Sequence, residues 1–484
     1  MSSFPSTGRG MRSVSWKIGW AVGVWLGLLA ISASPTWACY AIIVGRKASA
    51  DGSVLVGHAE QNQGRRILNF RVVPRRQYAA DASVDLGGGG QVPQVSQTWR
   101  FLWSEIPGTH FSDNFLNEWG VAVVSDYCPS REDDAATLAS RGDLRDGGIG
   151  YMLRRLVTER ARSAREGVEL AGQLIERSGY IDSGRTYVIA DPREAWLLAV
   201  VRGRHWAACR VPDDQVVLLP NYYVTDEVRL EDRENFLGAA DLLPYAESRR
   251  WSRPGQPFRF DWVYGPENTP RPDPRRLRGQ QLVMGREQLP WPPEELPLGV
   301  KPPVKMTVAS VMAILRGVIP ADRTSGSPTQ EGAVFQLRDT ETLPREIGCI
   351  YWRTSGEPSL GVMLPWYLGI KETPANYFRP GPLDEALTVQ AHLAPPRETF
   401  DPDASLAWWQ FQDLQRRVRN DLPNRLPTVR RVWDAWEDRV PNEQPDIERK
   451  ACDLWQKAPE EAIQFLTDVC LRRAAAVDQE VKRL

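Results

Sequence analysis

An α+β fold, sheets covered by helices with a helical C-terminal extension, is predicted by three patterns in this 484-residue chain. Short apolar runs of strand length, bounded by turn residues, recur from residue 39 to about 220. Two amphipathic stretches sit side by side in the midst of them. From about residue 382 the apolar spacing is helical to the end. Strand runs interrupted by paired helices are what a sheet needs when one face must be buried under helices.

The elements follow in order. Residues 39–45 (Cys-Tyr-Ala-Ile-Ile-Val-Gly) form one apolar run and read as a buried strand. Ala50-Asp-Gly52 is a turn signal, and Ser53-Val-Leu-Val-Gly-His58 follows as the second strand of a hairpin. Folding about that tip brings residues 60–64 opposite Cys39, so Glu60, Gln61 and Asn62 become its expected neighbours. Further strands are expected at 67–73, 97–105, 119–125, 185–190, 195–201, 205–210 and 215–219. Helices are expected at 149–162 and 165–178, with Leu153, Leu156 and Val157, then Val168, Ala171, Leu174 and Ile175, along one face. The stretch 252–304 is dense in proline and reads as an irregular surface excursion. A helix near 306–316 and strands near 333–338, 347–353 and 359–364 restore a globular texture. Beyond 381, Trp408, Trp409, Phe411, Trp433, Trp436 and Trp455 recur at helical spacing, which marks the core of a helical layer more readily than a binding groove. This divides the chain into a leader over 1–38, a main domain over 39–380 and a helical region over 381–484.

Composition narrows the chemistry. Sixty basic residues face 61 acidic ones, for a formal net charge of −1. A balanced chain without long charge runs offers no electrostatic footprint for nucleic acid or an acidic membrane. Only four histidines occur, His58, His110, His205 and His392. Their placement excludes an H-E-x-x-H zinc helix and leaves little room for a Ser-His-Asp hydrolase.

The first forty residues carry the strongest signal. Arg9, Arg12 and Lys17 precede the apolar run Ile18–Ile31, and small residues lead to Ala38, the order of a secretory signal peptide. Fourteen residues make about 21 Å of helix, short for a hydrocarbon core of about 30 Å, although an uncleaved anchor is the alternative. Cleavage after Ala38 exports the protein, to the periplasm or beyond, and makes Cys39 the first residue. An N-terminal cysteine has two chemical uses. It can be lipidated, which consumes both its sulfur and its amine. Or it can be a nucleophile whose own α-amine, with a pKa of about 7.7–8.0, serves as the base. Cys128, Cys209, Cys349, Cys452 and Cys470 contain no C-x-x-C pair, so no zinc site is expected from spacing. Cys452 and Cys470 lie about 9 and 18 Å from the turn between them, at 1.5 Å per residue, and their levels do not match for a disulfide.

The opening Cys39-Tyr-Ala-Ile-Ile-Val-Gly-Arg-Lys-Ala-Ser-Ala-Asp-Gly-Ser53 resembles the start of the dipeptidase A family of N-terminal-nucleophile (Ntn) cysteine peptidases, related to secernins. Asn117-Glu-Trp-Gly-Val-Ala-Val-Val-Ser125, Tyr187-Val-Ile-Ala-Asp-Pro-Arg-Glu-Ala-Trp196, Leu219-Pro-Asn221 and Leu364-Pro-Trp-Tyr-Leu-Gly-Ile370 follow in the family's order. The resemblance implies a four-layer αββα sandwich, similar to that of choloylglycine hydrolases and penicillin V acylases. It implies Cys39 as nucleophile, Asn221 as a side-chain donor to the tetrahedral oxyanion, and the Asn117 segment as a second donor. For both asparagines an ordinary turn role is the competing reading.

One departure stands out. Where relatives commonly carry Asn-Glu-Asp after an Arg or His, this chain has His58-Ala-Glu-Gln61, so Gln61 replaces the aspartate expected beside the nucleophile. Glu60 is the available substitute, although alternation would turn it to the face opposite Gln61. His58, Glu60 and Gln61 are the expected substrate-side residues. His58 is equally readable as a satisfied strand histidine. The resulting expectation is an exported, cofactor-free and metal-free cysteine dipeptidase acting on short peptides through an acyl-enzyme, as a monomer or homo-oligomer. The alternatives are an amidase or acylase on a non-peptide amide, and a non-catalytic lipoprotein acylated at Cys39.

Overall fold

The computed structural model describes residues 39–62, 66–109, 111–256, 258–269, 273–322, 328–379 and 389–484, all within one unit spanning 37–484. The expected signal segment, 1–38, lies outside the described residues. Among the described residues, fifteen strands form two antiparallel sheets. In chain order they are β1 (Tyr40–Val44), β2 (Val54–Gln61), β3 (Asn69–Val73), β4 (Phe101–Glu105) and β5 (Asn114–Asn117). Next come β6 (Ala122–Tyr127), β7 (Tyr180–Ala190), β8 (Ala195–Gly203), β9 (Trp206–Arg210) and β10 (Val216–Leu219). The last are β11 (Phe236–Gly238), β12 (Gly299–Val300), β13 (Thr329–Leu337), β14 (Cys349–Ser355) and β15 (Leu364–Tyr367). One sheet runs β12-β10-β1-β2-β13-β14-β15, the other β11-β9-β8-β7-β6-β5-β4-β3.

The principal helices are α1 (Met152–Arg160), α2 (Ala164–Ser178), α3 (Pro274–Met284), α4 (Val308–Val318), α5 (Ala407–Asn420), α6 (Leu422–Trp455) and α7 (Pro459–Arg483). Helices α1 and α2 bury Leu153, Leu156, Val168, Ala171 and Ile175 against Val123, Ile189 and Leu198 of the eight-stranded sheet. On the far side, α3 and α4 cover the seven-stranded sheet, where Val311 and Leu315 meet Ile42 and Gly57. Between the sheets lies the main core, which includes Ile43, Ala122, Val124, Val188 and Leu197. The order helix, sheet, sheet, helix is the four-layer sandwich that the resemblance implies.

Two glycines explain the hairpin that begins at Cys39. Gly52 has φ 76°, a left-handed conformation that only glycine adopts freely, so the tip at Ala50–Gly52 can close. The Asp51 carboxylate accepts from the Ser53 amide at 3.1 Å and fixes the turn. Gly57 faces α4 so closely that a Cβ there would stand 2.5 Å from Val311. Side chains alternate along a strand, so Gly57 on the helix side puts His58 and Glu60 on the side facing the other sheet.

Three expectations need correction. The strand expected at 119–125 starts at Ala122 because Gly120, at φ 78°, completes a turn. The strand expected at 359–364 is loop until Leu364. Most important, the proline-rich 252–304 stretch is not only irregular surface. It contains α3, with Asp273 capping the Arg275 and Arg276 amides, Pro274 in the first turn and Gly285 left-handed at the end. Proline density masks this helix, while its Asp-Pro start and Gly stop spell it out. In the C-terminal region, Trp433 is fully buried and donates to the Leu360 carbonyl at 3.2 Å, whereas Trp409, Trp436 and Trp455 remain partly exposed. No disulfide occurs among the described residues, and Cys128, Cys209, Cys349 and Cys470 are buried thiols. No helix among them is long and apolar enough to cross a membrane.

Candidate active site

Cys39 lies directly before β1, at the mouth of the slot between the sheets. The β1–β2 register pairs Tyr40 with Ala59, which puts Glu60 across from Cys39. The Cys39 thiol donates to Glu60 Oε1 at 3.0 Å and lies 3.8 Å from the Gln61 carbonyl. Gln61 therefore offers its backbone to the Cys39 thiol and sends its side chain away, donating to Thr329 Oγ1 at 3.0 Å. The expectation that Gln61 occupies the carboxylate's place is corrected: Glu60 fills it, and alternation turns Gln61, not Glu60, aside. Asn62 fixes the carboxylate from behind, donating to Glu60 Oε1 at 2.6 Å and to Ser112 Oγ at 2.8 Å.

Burial sets the electrostatics. It pushes the Glu60 carboxyl up to about 7, against partial relief from His58 and the Cys39 hydrogen bond. The Cys39 thiol is pushed well up, first by burial and then by the negative charges of Glu60 and Asp126. A thiol so placed stays protonated until a base takes its proton. Burial alone would lower His58, but the charges of Asp126, Glu60 and Glu331 outweigh it and raise its pKa. His58 and Asp126, from opposing sheets, approach to 3.7 Å, an ion-pair distance rather than a hydrogen bond. Among the described residues, Cys39, His58 and Asp126 are the group whose ligand atoms converge closely enough to hold a metal ion.

The asparagines part company. Asn117 is fully buried, donates to the Thr158 and Ala161 carbonyls at 2.9 and 2.8 Å, and accepts from the Trp119 and Val121 amides at 3.0 Å. Its side chain ties the 117–121 turn to the end of α1, and the structure does not bring it to Cys39. Asn221 is connected to Cys39. Arg275 donates to Asn221 Oδ1 at 2.9 Å through one nitrogen and to the Cys39 carbonyl at 3.0 Å through another. Asn221 in turn donates to the Tyr127 carbonyl at 3.1 Å.

Arg275 and Asp126 are the residues that sequence reasoning missed. The first hides in the masked-by-proline helix, and the second sits at the end of a strand without a motif of its own. Arg275→Met should lower kcat/KM by tenfold or more, because it frees both Asn221 and the Cys39 carbonyl. Steady-state kinetics beside thermal unfolding checks this, and an unchanged kcat/KM in a folded variant would refute it.

The model of peptidase family C69 matches residues 38–318, more than half of the chain. A probable dipeptidase A of Streptococcus pyogenes serotype M3 (strain SSI-1) is 26% identical over 386 residues, covering 70% of this chain and 78% of its own. A probable dipeptidase B of Lactococcus lactis subsp. lactis (strain IL1403) is 25% identical over 374 residues, covering 70% and 76%. Among solved structures, penicillin V acylase from Agrobacterium tumefaciens is similar at 13% identity and a TM-score of 0.36, over 68% of this chain and 86% of that one. With the family match beginning one residue before Cys39, this chain belongs to peptidase family C69 and is a hydrolase of the peptidase class.

Proposed function

We propose that the protein is an exported dipeptidase whose nucleophile is Cys39, freed as the first residue by cleavage after Ala38. The observation that carries the reading is the 3.0 Å contact between the Cys39 thiol and Glu60, enclosed between the two sheets. The thiol gives its proton to Glu60 or to its own α-amine and attacks the peptide carbonyl. The Asn221 amide turns from the Tyr127 carbonyl to the oxyanion, steered by Arg275. The proton passes to the departing amino group, and water then hydrolyses the thioester.

Two cations suit the free carboxylate of a short peptide. Arg154 and Arg185 are buried, pack over the Phe111 ring at 5.8 and 4.5 Å, and are close enough to draw the Glu60 carboxyl downward. A charge-assisted hydrogen bond is worth about 1.5–3 kcal/mol, or roughly 10- to 150-fold in rate.

The test combines mass and turnover. Intact mass and N-terminal sequencing should show an unmodified chain beginning at Cys39, and that chain should cleave dipeptides. Dipeptide amides, lacking the carboxylate, should be cleaved some hundredfold more slowly, and Arg185→Gln should erase most of that preference. A lipidated Cys39 would replace this reading with the envelope lipoprotein. Turnover of simple acyl amides in preference to dipeptides would replace it with the amidase.

A further inference from the structure

The floor of the active site contains side chains that the peptidase reaction leaves unused. His58 and Asp126 have no exposed surface, yet neither ring nitrogen and neither carboxylate oxygen has a hydrogen-bond partner among the described residues. A buried polar group without a partner is costly, and a neighbouring carboxylate in the same slot avoids the cost. Glu331, equally buried and paired with Glu60 across the β2–β13 ladder, accepts from Ser104 at 2.7 Å, Asn114 and Tyr351 at 2.8 Å, and Arg353 at 2.6 Å. Asp126 and His58 have nothing of the kind. What they have is each other at 3.7 Å, and Cys39: one ligand atom from each of the three lies within 4.8 Å of the others.

Sulfur, imidazole nitrogen and carboxylate oxygen are together the donor set of a borderline divalent cation. Zinc bonds of about 2.3 Å to sulfur and about 2.0–2.2 Å to nitrogen and oxygen put tetrahedral donors roughly 3–4 Å apart. The His58–Asp126 pair already has that spacing, and the most distant donor needs to move in by only about 1 Å. The three donors come from separate places in the chain, just before β1, on β2 and on β6, so cysteine spacing in the sequence could not announce them.

We propose that Cys39, His58 and Asp126 form an inhibitory site for Zn²⁺ or a similar divalent cation, which holds the nucleophile and keeps the peptidase inactive until the metal leaves. On binding, the Cys39 S–H bond breaks and its proton passes to Glu60, 3.0 Å away, and on to solvent. The sulfur keeps the electron pair and forms the metal bond, and no oxidant or reductant is involved. Water takes the fourth position. In a chain that begins at Cys39 the α-amine can take it instead, closing a five-membered chelate; the three side-chain donors do not depend on that cleavage.

The experiment is a titration of the chelator-stripped protein, its N-terminus established by mass, with Co²⁺ and then Zn²⁺. One Co²⁺ per chain should bind with a thiolate-to-cobalt charge-transfer band in the near ultraviolet, and Zn²⁺ should displace it. Peptidase activity should fall in proportion to occupancy and return fully with chelator. Asp126→Asn and His58→Gln should each weaken binding at least tenfold, and Cys39→Ser should abolish the band. Absence of the band in the unaltered protein overturns the proposal whether or not any variant folds. Undiminished affinity in folded Asp126→Asn and His58→Gln overturns it as well. A protein that hydrolyses dipeptides but takes up no cobalt fails this proposal alone, and one that binds cobalt but cleaves no dipeptide fails only the proposed function.

Discussion

Cys39→Ser is expected to leave a folded protein whose dipeptide turnover is lower by roughly three orders of magnitude or more. The hydroxyl fits where the thiol was and can donate to the same Glu60 oxygen, so unfolding free energy should change by less than about 1 kcal/mol. Serine fails chemically because its hydroxyl holds its proton far more tightly than a thiol does. The site is built to make even the thiol depend on a base, since burial and the charges of Glu60 and Asp126 keep Cys39 protonated. Active-site titration with an alkylating reagent, together with kcat/KM on a dipeptide, measures both halves. A variant that retains more than a tenth of the rate would remove Cys39 from the mechanism altogether.

Glu60→Gln carries the second large effect, and it should move activity and stability in opposite directions. In the proposed mechanism, where Glu60 takes the thiol proton, the ionised carboxylate is the form that accepts it. With the carboxyl pushed up to about 7 by burial, kcat/KM of the metal-free enzyme should rise from pH 5 to pH 8 through an inflection near 7. In Glu60→Gln that rise should disappear and the rate should fall by about 10²–10⁴-fold.

Stability behaves otherwise. In the unfolded chain a glutamate ionises near 4.3, whereas in the folded protein it resists until about 7. The folded state is therefore penalised progressively as pH rises from about 4.5 to 7. The full penalty above pH 7 is at most about 4 kcal/mol. Glutamine has no such titration, so the variant should gain on its parent by up to that amount between pH 5 and pH 8. Urea unfolding at the two pH values decides it. Equal changes in parent and variant would mean that Glu60 is not held neutral by burial.

Much of this site could be read from the chain before any fold was known. Cys39, the hairpin tip and the opposition of Cys39 to residues near 60 follow from a signal-like leader, an Asp-Gly turn and strand length. Alternation correctly separates Glu60 from Gln61, but which of them faces inward depends on a contact far away in sequence. Gly57 must face Val311 of α4, and that forces His58 and Glu60 toward the other sheet. Asn117 resembles a site residue by motif, yet four backbone partners claim its side chain, and no sequence pattern counts hydrogen bonds. Asp126 was illegible for a similar reason, because its importance comes from the sheet opposite. Arg275 was legible in principle, through the Asp cap, the proline in the first turn and the closing glycine of its helix.

The place of the first strand also governs when the enzyme comes into being. Strand β1 is not at an edge but between β2 and β10, and β2 is flanked in turn by β13. The strand that follows Cys39 thus cannot find its second neighbour until Leu219 has been made, nor can β2 find β13 until Leu337 has. At about 5–20 residues per second, the ribosome needs roughly 15–60 s to add those three hundred residues. Pairings of such long sequence separation are also slow to form. A growing chain therefore presents its cysteine first and its peptidase last, so a truncated or stalled product is a thiol without a hydrolase around it.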